Sequence, residues 1–298
     1  MESGKKCLNE QANYIVHELV YKKAVREAVL GCRLDANYLE RGGWMIKVGC
    51  CGFPISMQEY FEKFCLVEIQ STFYRIPKLE TVAGWRMSVG EDFEFSVKAW
   101  QAITHPLTSL TWKKAKIEVD IEDGDNYGFF KPTREVFDAW EKTLEICGLL
   151  KARVCLIQCP ASFVSNEQNV NNMRQFFSKI DRKGLALAWE PRGESWSDER
   201  VKQLCEELYL THCVDPFAKN PVFTTSTKIA YFRLHGSPPG RALYRYQYTD
   251  QNLRWLAEKV KDLEEKGLIV YCLFNNISMG EDAERLTHLI KTCSARER

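Results

Sequence analysis

From residue 45 onward, short apolar runs alternate with stretches in which apolar positions recur every three to four residues. Eight runs read as strands: 46–50 (IKVGC), 66–70 (LVEIQ), 93–98 (FEFSVK), 153–158 (RVCLIQ), 185–190 (LALAWE), 211–215 (THCVD), 229–234 (IAYFRL) and 268–274 (LIVYCLF). They are short and rich in Val, Ile, Leu and aromatics, as strands buried on both faces should be. Helical periodicity fills 56–64, 79–88, 133–150, 167–179, 197–208, 250–266 and 280–292. The segment 133–150 is the clearest, with Val136, Phe137, Trp140, Leu144, Ile146 and Cys147 as its stripe and Thr133 placed to cap it. No convincing helix links the sixth strand to the seventh. A long link with an acidic piece spans 99–132.

Eight strands alternating with helices over 45–298 predict an α/β fold, a TIM-like (β/α)8 barrel. An open doubly wound sheet is the rival. No GxGxxG follows the first strand and no GxxxxGK[ST] occurs, so nucleotide-binding versions of that sheet lose weight and no nucleotide cofactor is implied. Residues 1–44 stand apart as a helical N-terminal extension. Ile15, Val16, Leu19, Val20, Ala24, Val25, Ala28 and Val29 form an amphipathic stripe that stops at Gly31. Two expectations compete for this segment: a docking helix, or an upstream extension of a chain that starts at Met45.

Charge narrows the partner classes. The chain has 298 residues and a formal net charge of +1, and the 34 basic residues beyond position 44 are matched by 34 acidic ones. No global basic field exists to steer nucleic acid or anionic membrane toward the molecule. No run of 18 apolar residues occurs, so no membrane helix is expected. Twelve cysteines show no CxxC pair and no zinc-finger spacing. Several lie in apolar runs and read as reduced, buried thiols. With no apolar signal core at the start, a cytoplasmic location is expected.

A barrel gathers the C-terminal ends of its strands at one rim. The polar residues there are Glu68, Thr72, Tyr74, Lys98, His105, Gln158, Glu190, Arg192, Asp215, Arg233, His235, Asn275 and Asn276. Lys98, Glu190 and His235 are the candidates for proton transfer, because burial and neighbouring charge shift such groups by several pKa units. Arg192 and Arg233 could hold an anion. A structural reading runs beside this one: Glu68 and Glu190 pair with Lys98 or the arginines in a satisfied network. A single divalent ion among Glu68, Glu190, Asp215 and His235 is left open but not favoured. Cys50, Cys51 and Cys159 also fall near strand ends, without cluster-type spacing. The loop Tyr244–Tyr248 reads as a lid or rim.

The pieces VGCCGF (48–53), VEIQSTFYRIP (67–77), FSVKAWQAITH (95–105), LIQCPASF (156–163), WEPRGESW (189–196), YFRLHG (231–236) and VYCLFNN (270–276) run in one order across 45–298. Together they resemble the YecE-like family, domain of unknown function 72, and GCCGFP, WEPRG and VDPF look most like archaeal members. The resemblance implies a TIM-barrel-like fold and names no reaction. It carries the family's polar strand-end positions onto Glu68, Thr72, Tyr74, Lys98, His105, Gln158, Glu190, Arg233, His235, Asn275 and Asn276. Gln70 stands where the family usually has Asn, and Pro191-Arg192-Gly193 replaces its Phe-Arg-His.

The leading expectation is an enzyme acting on a small anionic or sugar-like metabolite by acid/base chemistry at the mouth. Glu190 and Lys98 exchange protons, and Arg233 and Arg192 bind the anion. The alternatives are a nucleic-acid-binding or phosphodiesterase-like barrel and a non-catalytic ligand-binding scaffold.

Overall fold

Eight parallel strands close into one barrel in sequence order: β1 (Ile46–Cys51), β2 (Leu66–Ile69), β3 (Glu94–Lys98), β4 (Val154–Gln158), β5 (Ala186–Glu190), β6 (Thr211–Val214), β7 (Ile229–Leu234) and β8 (Ile269–Phe274). The computed structural model describes residues 45–115, 125–236 and 243–296. The amphipathic helix expected from Ile15 to Val29, with the rest of the extension over 1–44, lies outside them. Every strand ends within one residue of its sequence-based bounds. β8 pairs with β1 from Ile46 opposite Val270 to Cys50 opposite Phe274. That pairing closes the cylinder and removes the sheet edge.

Strand alternation sorts the side chains into two cores. The inner one holds Leu66, Val154, Leu156, Ala188, Cys213, Tyr231, Tyr271 and Leu273. The outer one packs the other strand faces against the helices, through residues such as Trp140, Phe176, Leu256 and Val260.

The helices are α1 (Met57–Lys63), α2 (Ser71–Tyr74), α3 (Leu79–Met87), α4 (Leu110–Ala115), α5 (Arg134–Leu150), α6 (Glu167–Lys179), α7 (Asp198–Glu207), α8 (Asp250–Glu265) and α9 (Met279–Arg296). α2, α4 and a 3-10 turn at Gln101–Ile103 carry no signal in the sequence pattern. Each is too short for a periodic apolar pattern to register. Residues 215–228, between β6 and β7, contain no helix.

One capping expectation is corrected. Thr133 occupies the N-cap position of α5 but makes no side-chain bond to the helix. Its hydroxyl donates instead to the Asn126 carbonyl, 2.6 Å away, and so ties the preceding loop. No helix among the described residues is long and apolar enough to cross a membrane.

Candidate functional site

Inward positions at the C-terminal ends of the strands place polar side chains on top of the inner apolar core. β3 contributes Ser96 and Lys98, two residues apart and on one face; β7 contributes Tyr231 and Arg233 in the same way. Gln158 on β4 lies opposite Glu190 on β5.

Arg233 is the hub. It is 1% exposed. One Nη lies 3.0 Å from Glu68 Oε1 and the other donates to Glu190 Oε2 at 2.6 Å, with Gln158 Oε1 at 3.5 Å. Glu190 Oε1 also accepts from Arg192 Nε at 2.9 Å and Nη2 at 2.6 Å. Glu68 Oε2 accepts from the Tyr231 hydroxyl at 2.7 Å, which lies 2.6 Å from Ser96 Oγ, and the Gln70 amide donates to the other oxygen of Glu68. Two carboxylates and two guanidiniums thus alternate along one chain of contacts.

The electrostatics follow from that alternation. Burial alone would raise the Glu190 pKa, but Arg233 and Arg192, helped by His235 and Lys98, hold it well below the usual carboxylate range. Burial brings the His235 pKa down to about 3; Glu190 opposes this, and Arg233 and Arg192 reinforce it. The His235 ring is therefore neutral at physiological pH. Its Nε2 lies 3.1 Å from Arg192 Nη2, a pure donor, so Nε2 accepts and the proton sits on Nδ1, facing Asp215 Oδ2 at 3.8 Å.

Lys98 differs from the other cations. Its ammonium sits 3.9 Å from the centroid of the Phe73 ring, and no carboxylate among the described residues lies within ion-pair distance. Burial, with repulsion from Arg233, brings its pKa down from 10.5 to about 7, against the pull of Glu190 and Glu68. Its charge is therefore balanced near neutrality.

The other sequence candidates are placed as follows. His105 is buried edge-on against Phe73, its Nδ1 2.8 Å from Thr104 Oγ1, and burial with the Lys98 and Arg192 charges holds its pKa at about 3. The Thr72 hydroxyl lies on the carbonyls of Lys98 (2.6 Å) and Ile69 (3.0 Å), so it fixes the backbone of β3. Tyr74 is half-buried and packs edge-on against Phe73. Asp215 accepts from the backbone N–H of His235 and of Phe217. Asn276 donates to the Tyr246 carbonyl and to Asp282, pinning the Tyr244–Tyr248 rim to α9. Asn275 donates its backbone N–H to the Leu234 carbonyl. The structure therefore joins Glu68, Gln158, Glu190, Arg192, Arg233, His235 and Asp215, with Lys98 and His105 across the mouth; Thr72 and Asn276 serve the frame.

Sequence reasoning missed Ser96 and Tyr231 as members of this network. The signal was present: each lies two positions before a residue already singled out, on the same strand face. The buried thiols carry no such chemistry. Burial pushes Cys50 up to about 12 and holds Cys51 and Cys159 well above the ordinary thiol range. Among the described residues, no three His, Cys, Asp or Glu side chains converge as a metal-ligating set. Glu68 and Glu190 instead spend their oxygens on guanidinium, hydroxyl and amide donors.

Comparison with known proteins bears on the fold and the family. The chain is 24% identical over 255 residues to the UPF0759 protein YunF of Bacillus subtilis (strain 168), covering 76% of this chain and 83% of that protein. That relative is bacterial, and the archaeal resemblance expected from the motifs is not shown. A DUF72 family protein from Enterococcus faecalis V583 superposes with a TM-score of 0.64 at 24% identity, covering 84% of this chain and 98% of the other. A xylose isomerase domain-containing protein from Salmonella typhimurium LT2 gives 0.53 at 14% identity, covering 85% and 97%, and shares the fold alone. The model of the family described as "Protein of unknown function DUF72" matches residues 54–298, and the chain belongs to that family.

Proposed function

We propose that the barrel mouth binds a small polar metabolite, anionic or sugar-like, and transforms it by proton transfer, with Lys98 as the group that takes and returns the proton. The observation that carries this is the Lys98 amine: buried, facing the mouth, unpaired with any carboxylate among the described residues and titrating near 7. A proton-transfer group works best with its pKa near the operating pH. A purely structural lysine in such a place would be neutralised by a carboxylate, as Lys47 is by Glu94 at the opposite end of the barrel. Glu190 stays ionised and fixes Arg192 in orientation, so the exposed edge of Arg192 faces a bound ligand's oxygens, while the His235 Nδ1 proton stays turned toward Asp215. Arg233 acts through Glu68 and Glu190, because both its ends are taken.

The nucleic-acid reading has less support. The two rim arginines are matched by protein carboxylates, which leaves little positive field for a phosphate chain. The nine free cysteines among the described residues, eight of them buried, favour a reducing compartment, and we place the protein in the cytoplasm.

The test is a library of small hydroxy acids, keto acids and sugars, followed by proton NMR in deuterated buffer with wild type and Lys98→Met. Exchange or conversion of a compound by wild type, reduced at least about 100-fold in the variant, supports the reading. Equal rates in the two proteins would remove Lys98 from it.

A further inference from the structure

In a regular (β/α)8 barrel the outer face of each strand is covered by the helix that follows it. β6 has no such helix, since residues 215–228 run as irregular chain. Cys213 points inward, its Sγ 4.0 Å from Glu190 Oε2, so His212 and Val214 face outward into the space the helix would fill. A cavity of about 190 Å3 results beside the mouth, lined by β6, α7 and the end of β5. Its exposed wall is chiefly apolar, from Trp196, Val201 and Val214, and the Glu190, Asp198 and Asp215 carboxylates and Lys219 also line it. Arg192 and His235 belong both to this cavity and to the rim network.

His212 gives the cavity a directed polar group. The Val222 backbone N–H donates to its Nδ1 at 3.1 Å, which leaves the proton on Nε2. Burial keeps the ring neutral, with a pKa of about 4. The cavity is larger than the roughly 150 Å3 known to hold a benzene ring in an apolar site.

We infer that this side cavity is a second subsite of the mouth, and that it takes a planar ring bearing a hydrogen-bond acceptor from a substrate whose charged end lies against Arg192. The inference rests on the mouth as the ligand site and adds the class of ligand: an aromatic or heteroaromatic acid rather than an aliphatic one. His212 Nε2–H donates to the acceptor, and the ring lies along Trp196 and Val201.

The test titrates acetate, benzoate and isonicotinate into the full chain and reads amide shifts by NMR. Benzoate should bind about tenfold more tightly than acetate, the effect of removing on the order of 60 Å2 of apolar surface from water. Ala218→Trp fills the cavity from its exposed side and should reduce benzoate to the acetate level while leaving acetate unchanged. His212→Phe should abolish any advantage of isonicotinate over benzoate. Acetate binding without a ring advantage, or a ring advantage that survives Ala218→Trp, overturns the subsite and leaves the mouth reading standing. Benzoate binding that Ala218→Trp abolishes, with no acetate binding, keeps the subsite and removes the anion reading. Binding of none of the three overturns the subsite.

Discussion

Lys98 and Arg233 are both buried cations, yet their energetics have opposite sign. Arg233 compensates two buried carboxylates, so Arg233→Met removes the ion-pair partner of Glu68 and leaves Glu190 with Arg192. Loss of one partner from a buried pair costs about 3–5 kcal/mol, and urea unfolding should show a loss of that size. Lys98 is held against burial over the Phe73 ring, with no carboxylate partner among the described residues. The folded state keeps its pKa at about 7, whereas the unfolded chain returns it to 10.5. Between those values the unfolded chain binds the proton and the folded protein does not. The Lys98 penalty is therefore complete below pH 7 and is relieved as pH rises toward 10.5. Lys98→Met should raise stability by ~1–4 kcal/mol at pH 6 and flatten the rise in stability between pH 7 and 10. A fall in stability at pH 6 would mean that the amine has a counter-charge in the fold. A gain in stability coupled to loss of proton transfer is the pattern expected where function is retained at the expense of stability.

The strands were legible because parallel strands buried on both faces write themselves as short continuous apolar runs, and the eight runs here have that character. The long helices were legible through their apolar stripes. α5 buries Val136, Trp140, Ile146 and Cys147, as its periodicity indicates, with Phe137 and Leu144 half-covered. α2 and α4 were not legible, since four or six residues carry no period. Pairing within the site was not legible either. The rim list named Glu68, Glu190, Arg192 and Arg233, but which guanidinium meets which carboxylate depends on the stagger of the closed barrel. Only the fold separates Lys98, which stands apart, from Arg233, which is engaged at both ends.

Local caps and turns are where single substitutions act on elements. Thr249 and Asn252 form a reciprocal capping box at the start of α8. Thr249→Ala should cost ~1 kcal/mol in thermal or urea unfolding, with the rim chemistry unchanged. Gly236 follows β7 with φ +89°, and an added Cβ there would lie 2.9 Å from Tyr246 Cβ. Gly236→Ala should cost about 1–3 kcal/mol and weaken ligand binding as well, because the same turn sets the Tyr244–Tyr248 rim.

Acid sensitivity is a property of the whole barrel. His105 after β3, His212 on β6 and His235 after β7 are all kept neutral by burial, with pKa values of about 3, 4 and 3 against 6.5 in the unfolded chain. As pH falls below 6.5 the unfolded chain takes up protons that the folded protein refuses. Stability present above that pH is then lost at up to ~1.4 kcal/mol per unit for each histidine, until the folded pKa values are reached. Urea midpoints between pH 7 and 4.5 should fall steeply. Replacing His212, the outward-facing member, with Gln should remove about one third of the slope. An unchanged slope would show that this ring is protonated in the folded state.

The most direct measurement follows the Lys98 amine itself. Carbon-13 labelling at lysine Cε, with Lys98→Met to assign the resonance, gives its titration in the native protein. The arrangement of Phe73, Arg233 and Glu190 around the amine predicts a midpoint near pH 7 that moves upward when an anionic ligand enters the mouth. A midpoint above 10, unmoved by any ligand, would show an ordinary ammonium and contradict the assignment of the mouth as a site of proton transfer.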